Sequence, residues 1–155
     1  MPSQQSSAAE KTGKTNRVSH QFQFDPASRL LLCRIEGVVT DESIREYYRD
    51  VRRYAEKIQP SAGIVDFTGV TSFRASAATI RDLANSPPPL KDPKVPRFIV
   101  APTDHIFAMA RMFELQGDTT RPLLQVVRTL RDAYALLDIR DPRLEPVGPA
   151  GDEQL

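Results

Sequence analysis

The chain has little cysteine, no dominant sign of charge and no long apolar run. Its single cysteine, Cys33, cannot close a disulfide within the chain, which fits a reducing compartment. Twenty-one Lys and Arg against 20 Asp and Glu leave a formal net charge of +1, too small to attract nucleic acid or an anionic membrane. No apolar run approaches the ~18 residues of a membrane-spanning helix, and residues 1–17 lack the apolar segment of a secretory signal. These absences predict a cytoplasmic protein with no nucleic-acid partner and no stable membrane insertion.

The composition is that of a folded domain. The chain has 155 residues, of which 40% are hydrophobic and 26% are charged, values typical of a protein that buries a core. Residues 1–17 offer almost nothing to bury, and residues 140–155 are rich in Pro, Gly and acid. We therefore predict one domain over residues 18–139 between two flexible tails, 1–17 and 140–155.

Apolar periodicity predicts the order of strands and helices. Alternating apolar residues in HQFQFD and RLLLCRIEG predict a β-hairpin. From Thr40, a plausible N-cap, the apolar spacing changes to three and four, which predicts an amphipathic helix that Pro60 ends. Three further strand and helix pairs follow: AGIVDF with SAATIRDLANS, RFIVAP with TDHIFAMARMFELQG, and LLQVV with TLRDAYALLD. The order ββαβαβαβα predicts an α/β fold with a single-layer, mixed, largely parallel β-sheet covered by about four helices.

In open sheets of this kind, ligands gather beyond the carboxyl ends of the strands. This rule predicts a binding site at the loops after Phe67 and after Ala101.

The sequence around the first of these loops resembles that of a known family. The segment GIVDFTGVTSFRASAATIRDLA resembles the sulfate-transporter and anti-sigma-factor-antagonist (STAS) family, with matching positions at Asp66, Gly69, Val70, Thr71 and Phe73. The resemblance extends over residues 18–139 and is nearest to the SpoIIAA-like branch, which is sometimes grouped with lipid-binding SEC14-type domains. It implies a non-catalytic protein-binding module in regulatory signalling, whose partner is a kinase or an anti-sigma-like regulator.

The family's switch motif is largely replaced in this chain. In the bacterial antagonists the second serine of an Asp-Ser-Ser-Gly motif is phosphorylated, and that position falls on Ser76. Arg74, Ala75 and Ala77 stand at the other three positions. The residues themselves leave two interpretations open: Ser76 is the N-cap of the following helix, or it is a phosphoacceptor facing unpaired helix amides beside Arg74.

Other candidate residues lie in the same loops. We interpret Asp66, Thr71, Arg74, Thr103 and His105 as candidates for binding a partner or an anion. An alternative function is the binding of a small anionic or lipid-like ligand, favoured by Arg74 and the apolar run IFAMARMF.

The sequence gives little support to catalysis or to metal binding. A hydrolase would need Ser76, His105 and Asp66 or Asp104 to form a triad, but no G-x-S-x-G elbow surrounds the serine. Cys33, His20 and His105 lack the spacing of metal ligands, and no phosphate-cradling loop is present. We predict no enzyme activity and no cofactor.

Overall fold

The computed structural model describes residues 20–117 and 119–148. Its strands are β1 (His20–Asp25), β2 (Leu30–Val39), β3 (Ala62–Phe73), β4 (Arg97–Val100), β5 (Leu124–Val127) and β6 (Glu145–Pro146). Its helices are α1 (Asp41–Ile58), α2 (Ala77–Ala84), α3 (Asp104–Gln116) and α4 (Leu130–Leu137). The predicted order is confirmed, with β6 added at its end.

The six strands form one sheet in the order β5-β4-β3-β2-β1-β6. Strands β2 to β5 are parallel to one another. Strand β1 is antiparallel to β2 and to β6. The predicted fold class, a single mixed and largely parallel sheet with helices packed on it, is therefore confirmed.

The helices cover the two faces of the sheet unequally. Helices α1, α2 and α3 pack on one face, where they contribute Ile44, Ile80 and Ile106 to a buried cluster with Phe67 and Ile99 of the sheet. On the opposite face α4 supplies Ala133 to a second cluster, which includes Leu32 and Ile64. Because neighbouring residues of a strand point to opposite faces, each continuous apolar strand supplies side chains to both clusters.

Each of the four described helices begins at a Ser or Thr whose hydroxyl accepts a hydrogen bond from a first-turn amide. The capping residues are Thr40, Ser76, Thr103 and Thr129. At Thr40 the bond is reciprocal, since the Ser43 hydroxyl accepts from the Thr40 amide. The predicted cap at Thr40 is confirmed.

Strand β3 is longer than the sequence predicts. It continues past Phe67 to Phe73, so the predicted loop after Phe67 is wrong and the loop begins after Phe73. The polar segment stays extended because residues 69–73 pair with residues 36–39 of β2, with register shifts that mark irregular pairing. Gly69 permits the close approach, since a Cβ there would lie 2.7 Å from Glu36 Cγ.

The segment from residue 140 also differs from the predicted flexible tail. Strand β6 pairs with β1, the Val147 amide donates to the Phe22 carbonyl at 2.9 Å, and Leu144 packs against the second cluster. Local composition does not show this pairing because β1 is more than a hundred residues away in sequence. The predicted tail over residues 1–17, and residues 149–155 of the other, lie outside the described residues.

Within the part of the chain that the structure describes, no helix has both the length and the apolar character needed to cross a membrane.

Candidate functional site

The two loops that follow β3 and β4 meet at one edge of the sheet. Phe73 ends β3 and His105 lies in the first turn of α3, and their ring centroids are 5.8 Å apart in an edge-to-face arrangement. Phe73 also contacts Phe67 edge-to-face at 5.9 Å. This aromatic contact joins the two loops into one surface.

We call this region the strand-end surface and define it by Thr71, Arg74, Ser76, Thr103 and His105. All five residues are exposed. Five of the six candidate side chains thus lie at the ends of β3 and β4 or in the turns that follow them, and Asp66 is the exception.

Ser76 is the N-cap of α2. Its hydroxyl accepts a hydrogen bond from the Thr79 amide at 3.2 Å, and its backbone is extended. Its own amide donates to Asp41 Oδ1 at 2.6 Å, and its hydroxyl lies 3.3 Å from Asp41 Oδ2. The N-cap interpretation of Ser76 therefore describes the structure, and the serine is also held by a carboxylate from α1.

Asp41 places a negative charge at the N-terminus of α2. The hydrogen bond from the Ser76 amide is the main cause that holds the pKa of Asp41 below its usual range. Arg45 lies beside it and donates to Thr79 Oγ1 and to Asp82 Oδ2, each at 3.3 Å. Unpaired amides at a helix N-terminus favour an anion, and here the chain supplies that anion itself.

The role of Asp41 is not apparent from the sequence. The helical pattern that begins after Thr40 predicts this residue in the first turn of α1, which is correct, but it gives no sign of the contact with Ser76. The two residues are 35 positions apart, and only the parallel pairing of β2 with β3 brings the starts of α1 and α2 together.

Arg74 is fixed by its backbone and free at its charged end. Its amide donates to the Val39 carbonyl at 2.7 Å, and its Nε donates to Ser72 Oγ at 3.2 Å. Its side chain forms no ion pair with a described carboxylate, which leaves an exposed positive charge on the strand-end surface.

Asp66 lies away from the strand-end surface, contrary to its predicted place. It is buried in the middle of β3, where it pairs with Arg34 at 3.3 Å and accepts a hydrogen bond from the Thr68 amide at 2.9 Å. Seven further residues of β3 separate it from Phe73, about 23 Å of extended strand. Asp66 is therefore not a partner for Arg74.

The start of α3 has a structural frame of its own. Thr103 caps the helix through a hydrogen bond from the Ile106 amide at 3.3 Å. Asp104 pairs with Arg128 at 3.0 Å, and the Arg128 guanidinium lies 4.1 Å from the centroid of the Phe107 ring. This frame holds the first turn of α3 against the end of β5.

The described residues do not assemble a hydrolytic triad. The Ser76 hydroxyl contacts Asp41 and Thr79, whereas the His105 ring contacts Phe73. The carboxylate beside the serine belongs to Asp41, and the described contacts bring no histidine to the serine hydroxyl. Among residues 20–117 and 119–148, no three His, Cys, Asp or Glu side chains are grouped so that they could hold a metal ion.

Cys33 and His20, which were weighed above as metal ligands, have other surroundings in the structure. Cys33 is buried, and burial raises the pKa of its thiol to about 12, so little reactive thiolate exists at neutral pH. His20 pairs with Asp50 at 2.8 Å, far from His105 along the chain.

A comparison with solved structures finds a likeness to the Bacillus cell fate determinant SpoIIAA in its phosphorylated form. The two chains are 13% identical, the match covers 75% of this chain and 98% of that one, and the TM-score is 0.48. SpoIIAA belongs to the family that the sequence resembles. At this identity and TM-score the likeness says nothing about what the chain binds. No family model matches the chain, and no curated protein matches it.

Proposed function

We propose that the chain is a non-catalytic, STAS-like regulatory module that binds another protein through its strand-end surface, and that it does so in one permanent state. The observation that carries the proposal is the Asp41 carboxylate, which is bonded to the Ser76 amide at the start of α2. The negative charge that a phosphoserine would add to this helix N-terminus is already present.

The surroundings of Ser76 oppose a phosphate. A phosphate on the hydroxyl would stand beside the Asp41 oxygen that now lies 3.3 Å away, and like charges at that distance repel. Arg45, whose charge acts on Asp41, is already bonded to Asp82. Ser76 therefore serves better as a cap than as a switch.

The neighbouring side chains suit a protein partner. The strand-end surface presents the Arg74 charge and the His105 ring on a base of packed aromatic residues, and rigid elements hold both loops. Exposed arginine and aromatic groups on a rigid support are common anchors of protein interfaces. By resemblance to the family, the partner is a kinase or an anti-sigma-like regulator.

The test is site-specific photo-crosslinking in the source cells. A photoreactive residue at Thr71 is expected to capture one partner, while the same residue at Lys57, an exposed position in the last turn of α1, is expected not to. The captured protein is then purified and titrated against the wild type and Arg74→Glu. We expect Arg74→Glu to weaken binding at least about tenfold because the charge that meets the partner is reversed.

Arg53→Glu is the matched control, since Arg53 is exposed on α1 and makes only a surface pair with Asp50. It is expected to bind as the wild type does. Equal capture at Thr71 and Lys57, or equal affinity of Arg74→Glu and wild type, would contradict the proposal.

The alternative of a small anionic or lipid-like ligand beside Arg74 has less support at this place. The Asp41 carboxylate occupies the helix N-terminus that such an anion would use. The apolar run of α3 faces inward, with Ile106 and Ala110 buried in the core.

A further inference from the structure

A cavity of about 130 Å³ lies between the sheet and the three helices on its face. Its walls are mainly apolar, with contributions from every layer around it: Phe67 and Ile99 from the sheet, Ile44 from α1, Leu83 from α2 and Ala110 from α3. Protein interiors contain few voids larger than a water molecule. An apolar cavity of about 150 Å³ is large enough to bind benzene, so this one has nearly the room for a single ring or a short chain.

One end of the cavity is positively charged. Arg97 and Arg121 line it, and only 7% and 3% of their surfaces are exposed. Neither forms an ion pair with a carboxylate among the residues that the structure describes. Burial, together with repulsion by Arg121, lowers the pKa of Arg97.

Arg97 retains capacity for an anion. Its three nitrogens donate to the carbonyls of Leu90, Asp92 and Val95 at 2.7 to 3.0 Å. A guanidinium has five N–H groups, so these bonds leave two. Buried charges are normally paired. A planar guanidinium suits a carboxylate in particular, because its two parallel N–H groups match the two carboxylate oxygens.

The loop between α2 and β4 forms one wall of the cavity. Pro89 and Leu90 of this loop line the cavity on one side and a surface cleft of about 580 Å³ on the other. Leu90 lies directly on the sheet at Gly63, where a Cβ would be 2.8 Å from Leu90 Cδ1. Displacement of Leu90 would connect the cleft with the cavity.

We propose that this cavity binds a small carboxylic acid whose hydrocarbon body is a short chain or a single ring no larger than benzene and whose carboxylate lies at the end formed by Arg97 and Arg121. The body replaces empty volume among apolar side chains, and the carboxylate meets two buried charges. The site is distinct from the strand-end surface and does not depend on the function proposed for it.

Benzoate is the probe, and benzamide, which has the same shape without the charge, is its matched control. At saturating concentration benzoate is expected to raise the midpoint of thermal unfolding by about 4 °C, and benzamide by clearly less. Methyl NMR of the wild type is expected to show the largest shifts at Ile44, Ile80, Leu83 and Ile106. Equal stabilisation by the two probes would overturn the assignment of the carboxylate, and shifts confined to other methyl groups would overturn the site.

A cavity-filling variant locates the site independently. Ala110→Leu places added carbons in the cavity and is expected to abolish the benzoate shift, while Ala108→Leu, the same change at an exposed position of α3, is expected to retain it. Retention of the full shift in a folded Ala110→Leu protein would contradict the proposal. If that variant does not fold, the wild-type methyl shifts decide.

Discussion

Two contacts of different origin hold the start of α2: the Ser76 hydroxyl caps the helix from within, and the Asp41 carboxylate reaches Ser76 from α1. The cap can be predicted from the sequence, because Ser76, like Thr40 and Thr129, stands just before an apolar helical pattern and the N-cap bond is made within four residues. The Asp41 contact with Ser76 depends on how two parallel strands align, which no local pattern contains. This contact bears on function, because the Asp41 carboxylate occupies the helix N-terminus where a phosphate would otherwise be held.

The repulsion between Asp41 and a second acid at position 76 can be measured. Aspartate and asparagine are equally good N-caps, so Ser76→Asp and Ser76→Asn differ mainly in charge. We expect Ser76→Asp to have the lower midpoint of urea unfolding at pH 7, because its carboxylate faces that of Asp41.

The control is the same pair of substitutions in an Asp41→Asn background, where the difference is expected to disappear. The difference should also narrow in the wild-type background as pH falls and the two carboxylates take up protons. A Ser76→Asp protein more stable than Ser76→Asn would show that the start of α2 accepts a second negative charge, which would revive the phosphoacceptor interpretation.

At the scale of elements, the sequence predicts each strand and helix where periodicity is strong, and it fails where pairing overrides composition. The stretch from Thr68 to Ser72 is polar and contains Gly69, so it suggests a loop, yet it forms the second half of β3 because β2 continues beside it. Strand β6 was missed for the same reason. Arg121 is a third case: nothing near it in sequence shows that a charged side chain is buried there.

Arg121 ends α2 in place of a glycine cap. Its guanidinium donates to the carbonyls of Leu83, Ala84 and Ser86 and to the hydroxyl of Tyr48, and it lies 4.7 Å from the centroid of the Phe113 ring. The carbonyls at the end of a helix have no partner within the helix, and a cation there also opposes the negative end of the helix dipole. One side chain thus ties α2, α1 and α3 together.

Arg121→Met should cost about 3 kcal/mol of the free energy of unfolding, because it keeps much of the apolar stem and leaves several buried acceptors without a donor. Chemical denaturation measures the loss. Arg111→Met is the control: Arg111 pairs with Glu114 on the surface of α3, and its loss is expected to change stability by no more than about 0.5 kcal/mol. Similar losses in the two variants would mean that the buried bonds of Arg121 contribute no more than a surface pair.

At the scale of the whole molecule, the sheet has three helices on one face and one on the other. On the face that carries α4, the apolar residues Leu30 and Leu32 of β2 are followed by Arg34. The Arg34 side chain forms hydrogen bonds with Gln23 and Asp66. The segment after α4 crosses the end of this face, where Ile139 and Leu144 pack on the α4 cluster, and then returns as β6 to the edge of β1. It covers an edge strand that would otherwise present unpaired backbone groups.

We therefore predict that the folded unit extends to residue 147 and does not end at 139. A chain that ends at Arg143 is expected to lose about 2 kcal/mol of the free energy of unfolding relative to one that ends at Gly148, because it gives up the burial of Leu144 and Val147 together with the pairing of β6. Its β1 amides should also exchange hydrogen faster, since their edge is uncovered. The full-length chain serves as the reference and is expected to match the chain that ends at Gly148. If the chain that ends at Arg143 had the same denaturant midpoint and exchange rates as the chain that ends at Gly148, β6 would contribute nothing to stability. The domain limit at 139 would then be correct.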